Sequence, residues 1–196
     1  FKILMLGLPA ALTPLFLYSA YRFMATGVVT TVHFSYPVLV VLAGWLFLKT
    51  KPSVLTVISL FLTSVGLMLI VDFKNTLGLM DLTGFVLAFA SAITFGYYVL
   101  YLDFSSLSSM ESNKLQFYMC LITSVFILVY CMLTGQFTYP TTIYGWIITI
   151  GFSMLITFGA AIPFQLGVRM IGPQNASILS TAEPITSVII GVMMLN

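Results

Sequence analysis

The sequence predicts an all-α integral membrane protein, a bundle of hydrophobic helices arranged as an inverted repeat. Three observations predict it. The chain is far more apolar than a soluble protein, and its apolar residues form seven stretches long enough to cross a bilayer. A pattern of polar residues, proline and glycine in the second stretch also returns in the seventh. We therefore expect about seven membrane helices in this sequence, and we infer a parent protein with ten.

Composition excludes a water-soluble domain. Of the 196 residues, 60% are hydrophobic and 6% are charged, whereas a soluble domain carries roughly 25% charged residues. Seven Lys and Arg and five Asp and Glu residues cannot cover a soluble surface, so lipid is the solvent for most of the exterior. The net charge is only +2 and the basic residues are scattered, which excludes nucleic acid as a partner. We expect a multi-pass protein of the cell membrane, inner or plasma, with a homo-oligomer as an open alternative to a monomer.

The apolar stretches follow one another with short polar connections. Backbone groups in a water-free layer must satisfy one another's hydrogen bonds, which leaves helices or closed barrels. Because the stretches are long and lack alternation of apolar and polar residues, they predict helices. The expected spans are approximately 3–23, 27–48, 53–71, 80–102, 114–134, 142–168 and 175–195.

The second and seventh spans share an ordered set of residues at one offset. Matching positions lie 147 residues apart and pair Thr30 with Ser177, His33 with Ser180, Tyr36 with Glu183, Pro37 with Pro184 and Gly44 with Gly191. The two spans are five helices apart, so they run in opposite directions. Inverted repeats of this kind build many secondary transporters.

A repeat unit of five helices divides the chain into two parts. Residues 1–72 are then the C-terminal three helices of the first repeat, and residues 79–196 are the first four helices of the second, inverted repeat. The sequence starts inside one apolar stretch and ends directly after another. We therefore expect it to be part of a longer protein with ten spans.

The repeated spans carry the main candidates for a substrate-binding or coupling site. Glu183 lies about eight residues into an apolar span, where an ionised carboxylate costs several kcal/mol and usually faces a cavity or a partner. The alternative is a protonated carboxyl group that donates one hydrogen bond to a neighbouring helix. A polar stripe at helical spacing accompanies it in both spans, and its members are Ser177 and Ser180 in one span and Thr30, His33 and Tyr36 in the other.

Other candidates are weaker. Either Tyr97 or Tyr98, in the middle of the fourth span, is a candidate for the cavity wall, whereas most tyrosines here anchor the chain at the membrane interface. Pro37 and Pro184 are each expected to remove a backbone hydrogen bond and free a carbonyl in mid-helix, which marks either a gating point or a static bend. His33 either binds substrate or a proton, or it is a structural residue whose hydrogen bonds are satisfied within the protein. Arg169, close to a span end, is expected to reach the lipid headgroups.

Two short segments carry a resemblance to a known family. Residues 26–37 (TGVVTTVHFSYP) resemble the fourth span of EamA-type permeases of the drug/metabolite transporter superfamily, and residues 172–177 (GPQNAS) with 182–184 (AEP) resemble their ninth span. The resemblance implies ten helices in two inverted halves, a central cavity, and export or uptake of small metabolites. The chain departs from the family at Lys49, where members usually have a glutamate.

The leading hypothesis is a secondary transporter that moves small metabolites, amino acids or drug-like compounds among them, by alternating access. The alternative is a seven-helix receptor or another membrane protein without transport activity, although span 175–195 lacks the lysine that a retinal protein needs. We expect no enzymatic activity, because no catalytic motif such as H-E-x-x-H is present. With a single histidine, His33, and no metal-ligand spacing, neither a metal site nor a cofactor is expected. Cys120 and Cys131 are expected to be small buried apolar residues.

Overall fold

The computed structural model describes residues 1–70, 81–186 and 193, and the regular structure within them is entirely helical. The helices, in chain order, are α1 (Lys2–Ala20), α2 (Thr26–His33), α3 (Tyr36–Leu48), α4 (Val54–Ile70), α5 (Leu82–Phe104), α6 (Ser112–Thr134), α7 (Ile143–Met154) and α8 (Ile162–Leu179). A short 3-10 helix (Ser106–Ser109) lies between α5 and α6, and a π-helical segment (Leu155–Ala161) joins α7 to α8. The prediction of an all-α membrane protein is confirmed.

Within the described residues, five helical stretches are long and apolar enough to cross a membrane. They are Lys2–Ala20, Thr26–Leu48, Leu82–Phe104, Ser112–Thr134 and Ile143–Leu179. Helix α4 is also apolar and, with 17 residues, is shorter than any of them. The first five expected spans match α1 to α6 within a few residues. The sixth was expected to end at 168 and the seventh to begin at 175; α8 contains the non-helical Gly172 (φ 81°, ψ 161°) between these two positions, so two helices meet there. Much of the seventh expected span, 175–195, lies outside the described residues, as does the expected boundary near residues 72–79.

Side-chain packing places the core along α1 and α5. These two helices form the largest helix pair, and α6, α3 and α8 pack around them. Fully buried apolar side chains fill the centre, namely Leu6, Val40, Val99, Leu102, Leu115 and Val168. By contrast, α7 has no buried residue and presents large apolar side chains outward. An apolar exterior of this kind is stable only against lipid or further helices.

Two helical paths are interrupted, and each interruption precedes a proline. Helix α2 ends at His33, where Phe34 N–H donates to Thr30 O at 2.8 Å, and α3 restarts at Tyr36. Helix α8 ends at Leu179, and residues 182–186 are again helical.

Pro37 therefore lies in the first turn of a helix, where a missing N–H costs little. The expectation that Pro37 frees a carbonyl in mid-helix is wrong, because the chain has already left the α2 helix before the proline. Pro184 lies likewise in the helical segment that follows the second interruption.

The π-helical segment widens the backbone between α7 and α8. It ends just before Pro163, which has no N–H to give to the carbonyl four residues earlier. A helix can absorb this defect by local widening, and such π-segments occur often at functional sites. Several residues of this segment line the cavity described next.

Candidate functional site

A cavity of about 660 Å³ lies between α1, the α2–α3 junction, α5, α6, the π-helical segment and the end of α8. Its volume is in the range that small-molecule sites occupy. The wall combines aromatic rings with hydroxyl groups, an amide, one imidazole and one carboxyl group. Residues of the wall used below are Tyr18, Tyr21, Thr30, His33, Phe34, Tyr36, Phe95, Tyr98, Gln116, Cys120, Phe164, Ser180 and Glu183.

The structure brings six of the eight predicted site residues to this cavity. They are Thr30, His33, Tyr36, Tyr98, Ser180 and Glu183. The other two lie elsewhere. Ser177 is completely buried behind the wall, where its Oγ donates to Gln174 O at 2.8 Å. Tyr97 stacks on Tyr101 and faces a separate apolar groove of about 540 Å³ between α3 and α5. The predicted gating residues Pro37 and Pro184 do not line the cavity.

The hydrogen bonds of His33 define its tautomer. Its Nδ1 lies 2.9 Å from Ser91 Oγ, and the Ser91 hydroxyl donates its single proton to Ala88 O at 2.6 Å. Ser91 Oγ must therefore accept, so Nδ1 of His33 carries the proton. In the neutral ring Nε2 then holds a lone pair, so His33 is a hydrogen-bond acceptor at this nitrogen.

Tyr36 and Ser180 connect the two interrupted helices directly. The Tyr36 hydroxyl is hydrogen-bonded to Ser180 Oγ, and the Ser180 hydroxyl donates to Ser177 O at 2.7 Å. Because Ser180 has only one proton, Tyr36 is the donor in the bond between them. Tyr36 stands at the start of α3 and Ser180 directly follows α8. One hydrogen bond thus links the two points at which the helical backbone breaks.

Tyr98 is held by an amide network behind the cavity wall. Gln165 is completely buried and its Nε2 donates to the Tyr98 hydroxyl at 3.1 Å and to Gln116 Oε1 at 2.6 Å. Gln165 Oε1 has no hydrogen-bond partner among the described residues. The Tyr98 hydroxyl accepts from Gln165, so its own proton is available to a group inside the cavity.

A family comparison identifies what kind of bundle holds this cavity. Residues 82–196, more than half of the chain, match the model of the EamA-like transporter family. This chain belongs to that family. It is also similar to the uncharacterized transporter sll1319 of Synechocystis sp., with 27% identity over 183 residues. That alignment covers 89% of this chain and 53% of the relative, so the chain spans about half the relative's length. The predicted resemblance to EamA-type permeases is confirmed, and the protein is a multi-pass membrane protein of this family.

Arg169 is a structural residue that holds the connection between α5 and α6. It donates from Nη1 to Met110 O at 2.6 Å and to Ser112 Oγ at 3.1 Å, and from Nη2 to Leu107 O at 3.2 Å. The expectation that Arg169 reaches the lipid headgroups is wrong, because its guanidinium group satisfies carbonyls of the α5–α6 connection. A planar guanidinium with several fixed donors is well shaped for this task.

One side of the cavity was not predicted from the sequence. Helix α6 contributes Gln116, Cys120, Thr123 and Ser124 to the wall. These residues are spaced four, seven and eight positions from Gln116, which places them on one helical face. This spacing in the sequence could therefore have predicted a polar face on α6. Cys120 is exposed, so its expected burial is wrong, because this face of α6 borders an open cavity.

Proposed function

We propose that the EamA-like transporter is a secondary transporter that moves a small, partly apolar solute by alternating access. One observation carries the proposal: the two interrupted helices meet at a single cavity, linked by the hydrogen bond between Tyr36 and Ser180. Interrupted helices around a midplane site are a common construction in secondary transporters. A backbone that is already broken can change direction there without breaking further helical hydrogen bonds.

The proposed inverted repeat assigns residues 1–72 to the first unit and 79–196 to the second. The positions of the breaks support it. Phe34 follows the end of α2, and the position 147 residues further on is Thr181, which stands between α8 and the next helical residues. Two segments of different sequence therefore break at matching positions, each shortly before a proline. In this proposal Pro37 and Pro184 start the second half of each gate helix.

Glu183 is the proposed coupling residue. It is an exposed carboxyl group at the cavity, where it can take up a proton or bind a solute. The titratable groups that share the cavity with it are Tyr18, Tyr21, His33, Tyr36, Tyr98 and Cys120.

The test is solute uptake by the full-length protein in proteoliposomes, with a radiolabelled panel that includes phenylalanine and phenethylamine. Glu183→Gln keeps the size of the side chain and removes its charge, so we expect uptake to stop or to lose its pH dependence. Glu111→Gln is the matched control, because Glu111 stands at the exposed start of α6 outside the cavity. Unchanged uptake and pH dependence in Glu183→Gln would remove the coupling role. No uptake of any panel member by the wild-type protein would count against the transport proposal.

A further inference from the structure

The charges of the cavity wall are unbalanced. Among the residues that the structure describes, Glu183 is the only charged one that lines it. The cationic side chains within the described residues lie elsewhere. Lys2 donates to Ser106 at 3.0 Å, Arg169 is engaged with backbone carbonyls, and Arg22, Lys49, Lys51 and Lys114 are not part of the wall. A solute with a negative charge would therefore meet a carboxylate and no cation.

Three hydroxyl groups of the wall use their protons on backbone carbonyls. Thr30 donates to Thr26 O at 2.7 Å, Thr13 to Pro9 O at 2.8 Å, and Ser180 to Ser177 O at 2.7 Å. Each hydroxyl has a single proton, so these three oxygens have only lone pairs left for a solute. With the Nε2 lone pair of His33 and the Glu183 carboxylate, they give a solute that donates hydrogen bonds five acceptors in the wall.

Aromatic rings supply the remaining contact surface. Phe95 is at the centre of a group of rings, with its centroid 4.6 Å from that of Tyr36, 5.7 Å from Phe164 and 5.8 Å from Tyr98. At the end of α1, Tyr18 and Tyr21 lie 5.9 Å apart. Aromatic faces attract ammonium groups through the ring quadrupole, and they also pack against an apolar body.

We propose that this cavity binds an organic amine, a protonated ammonium group on an aromatic or apolar body, with the ammonium group at Glu183. The inference rests on the proposed function only in that the same cavity is the transport site. It goes further by choosing among solutes. An amino acid has the same ammonium group, but its carboxylate shares the cavity with Glu183 and meets no cation among the described residues, so the amine binds more tightly.

The test compares three compounds that share a phenylethyl group. Phenethylamine carries only the amine, phenylalanine carries the amine and a carboxylate, and 3-phenylpropionate carries only the carboxylate. Binding to the purified full-length protein in lipid nanodiscs is measured by isothermal titration calorimetry near pH 7.5. We expect phenethylamine to bind at least about tenfold more tightly than phenylalanine, and 3-phenylpropionate to show no binding. Equal or tighter binding of either carboxylate compound overturns the inference.

Variants then locate the ammonium group. Glu183→Gln should weaken phenethylamine binding by about 10- to 100-fold, which is the usual effect of removing the charged partner of a hydrogen bond. Glu183→Asp, which restores the charge, should recover part of the affinity. Glu111→Gln should bind as the wild type does. Wild-type affinity for phenethylamine in a monodisperse Glu183→Gln protein overturns the placement of the ammonium group at Glu183. The order of affinity of the three compounds for the wild-type protein is a test that needs no variant.

Transport and binding fail separately. If phenethylamine binds most tightly of the three compounds but no compound is taken up by proteoliposomes, the transport proposal fails and the amine site stands. If uptake is found for phenylalanine or 3-phenylpropionate but phenethylamine neither binds nor competes, transport stands and the amine site is overturned.

Discussion

Replacing Gln165 with leucine separates the stability of the bundle from the affinity of its cavity. Gln165 has no exposed surface and donates two hydrogen bonds, to Tyr98 at 3.1 Å and to Gln116 at 2.6 Å. Its Oε1 has no partner among the described residues. Rotating the amide by half a turn would let Oε1 accept from Tyr98 but would leave the nitrogen without a partner. One end of this buried amide is unsatisfied in either orientation.

The magnitudes nearly cancel for stability. Two neutral hydrogen bonds are worth about 0.5–1.5 kcal/mol each, so their loss costs about 1–3 kcal/mol. The unpaired acceptor of Gln165 costs the wild-type protein about 1–3 kcal/mol, and leucine removes that cost. Leucine is close to glutamine in size, so no large cavity remains. We expect the free energy of unfolding of Gln165→Leu to lie within about 1 kcal/mol of the wild type.

Affinity should change, because Tyr98 loses the donor that holds its hydroxyl in place. A misplaced hydroxyl forfeits about one neutral hydrogen bond to the bound solute, which corresponds to a loss of roughly 2- to 10-fold in affinity. Denaturant titration in mixed micelles measures stability, and calorimetry with phenethylamine measures affinity. Tyr98→Phe should give a similar loss, and adding it to Gln165→Leu should cost nothing more. A loss of stability above about 3 kcal/mol with unchanged affinity would refute this account of Gln165.

Two further predictions concern backbone geometry and access to the cavity. Gly172 has φ 81° and ψ 161°, a region that is essentially restricted to glycine, whereas Gly135 has φ 66° at the end of α6. Gly172→Ala should therefore destabilise the protein by about 1–3 kcal/mol, and Gly135→Ala by about 1–2 kcal/mol. Only Gly172→Ala should impair uptake. Equal uptake defects in both variants contradict this. Phenethylamine should slow maleimide labelling of Cys120, which lines the cavity, and leave labelling of Cys131 unchanged; equal protection of both thiols contradicts the placement.

The helices were largely predictable because hydrophobicity alone decides them. Runs of about 20 apolar residues have no stable alternative to a helix in lipid, so α1, α5 and α6 were found within a few residues of their ends. The break at Gly172 lies in the more polar segment between the expected spans 142–168 and 175–195, so the sequence indicated it. The interruption after His33 was not predicted, because it lies inside the apolar span 27–48 and only the local backbone geometry shows it.

The site was predictable where one helix carries the pattern. The spacing of Thr30, His33 and Tyr36 places all three at the cavity. Interactions between helices were not predictable, because nothing in one span indicates its neighbour. Ser91 fixes the His33 tautomer from another helix, and Arg169 binds carbonyls about 60 residues away in sequence rather than lipid.

The central claim is that the two interrupted helices must move apart and together during transport. Replacing both Tyr36 and Ser180 with cysteine, in full-length protein with Cys120 and Cys131 changed to alanine, allows the two positions to be joined by a short bis-methanethiosulfonate reagent, which forms a disulfide with each thiol that reduction can cleave. The reagent takes up the length of the lost tyrosine ring. The single-cysteine variants treated in the same way are the controls. We predict that joined protein takes up no solute and that reduction restores uptake, whereas full-rate uptake by protein shown by mass spectrometry to be completely cross-linked would contradict the claim.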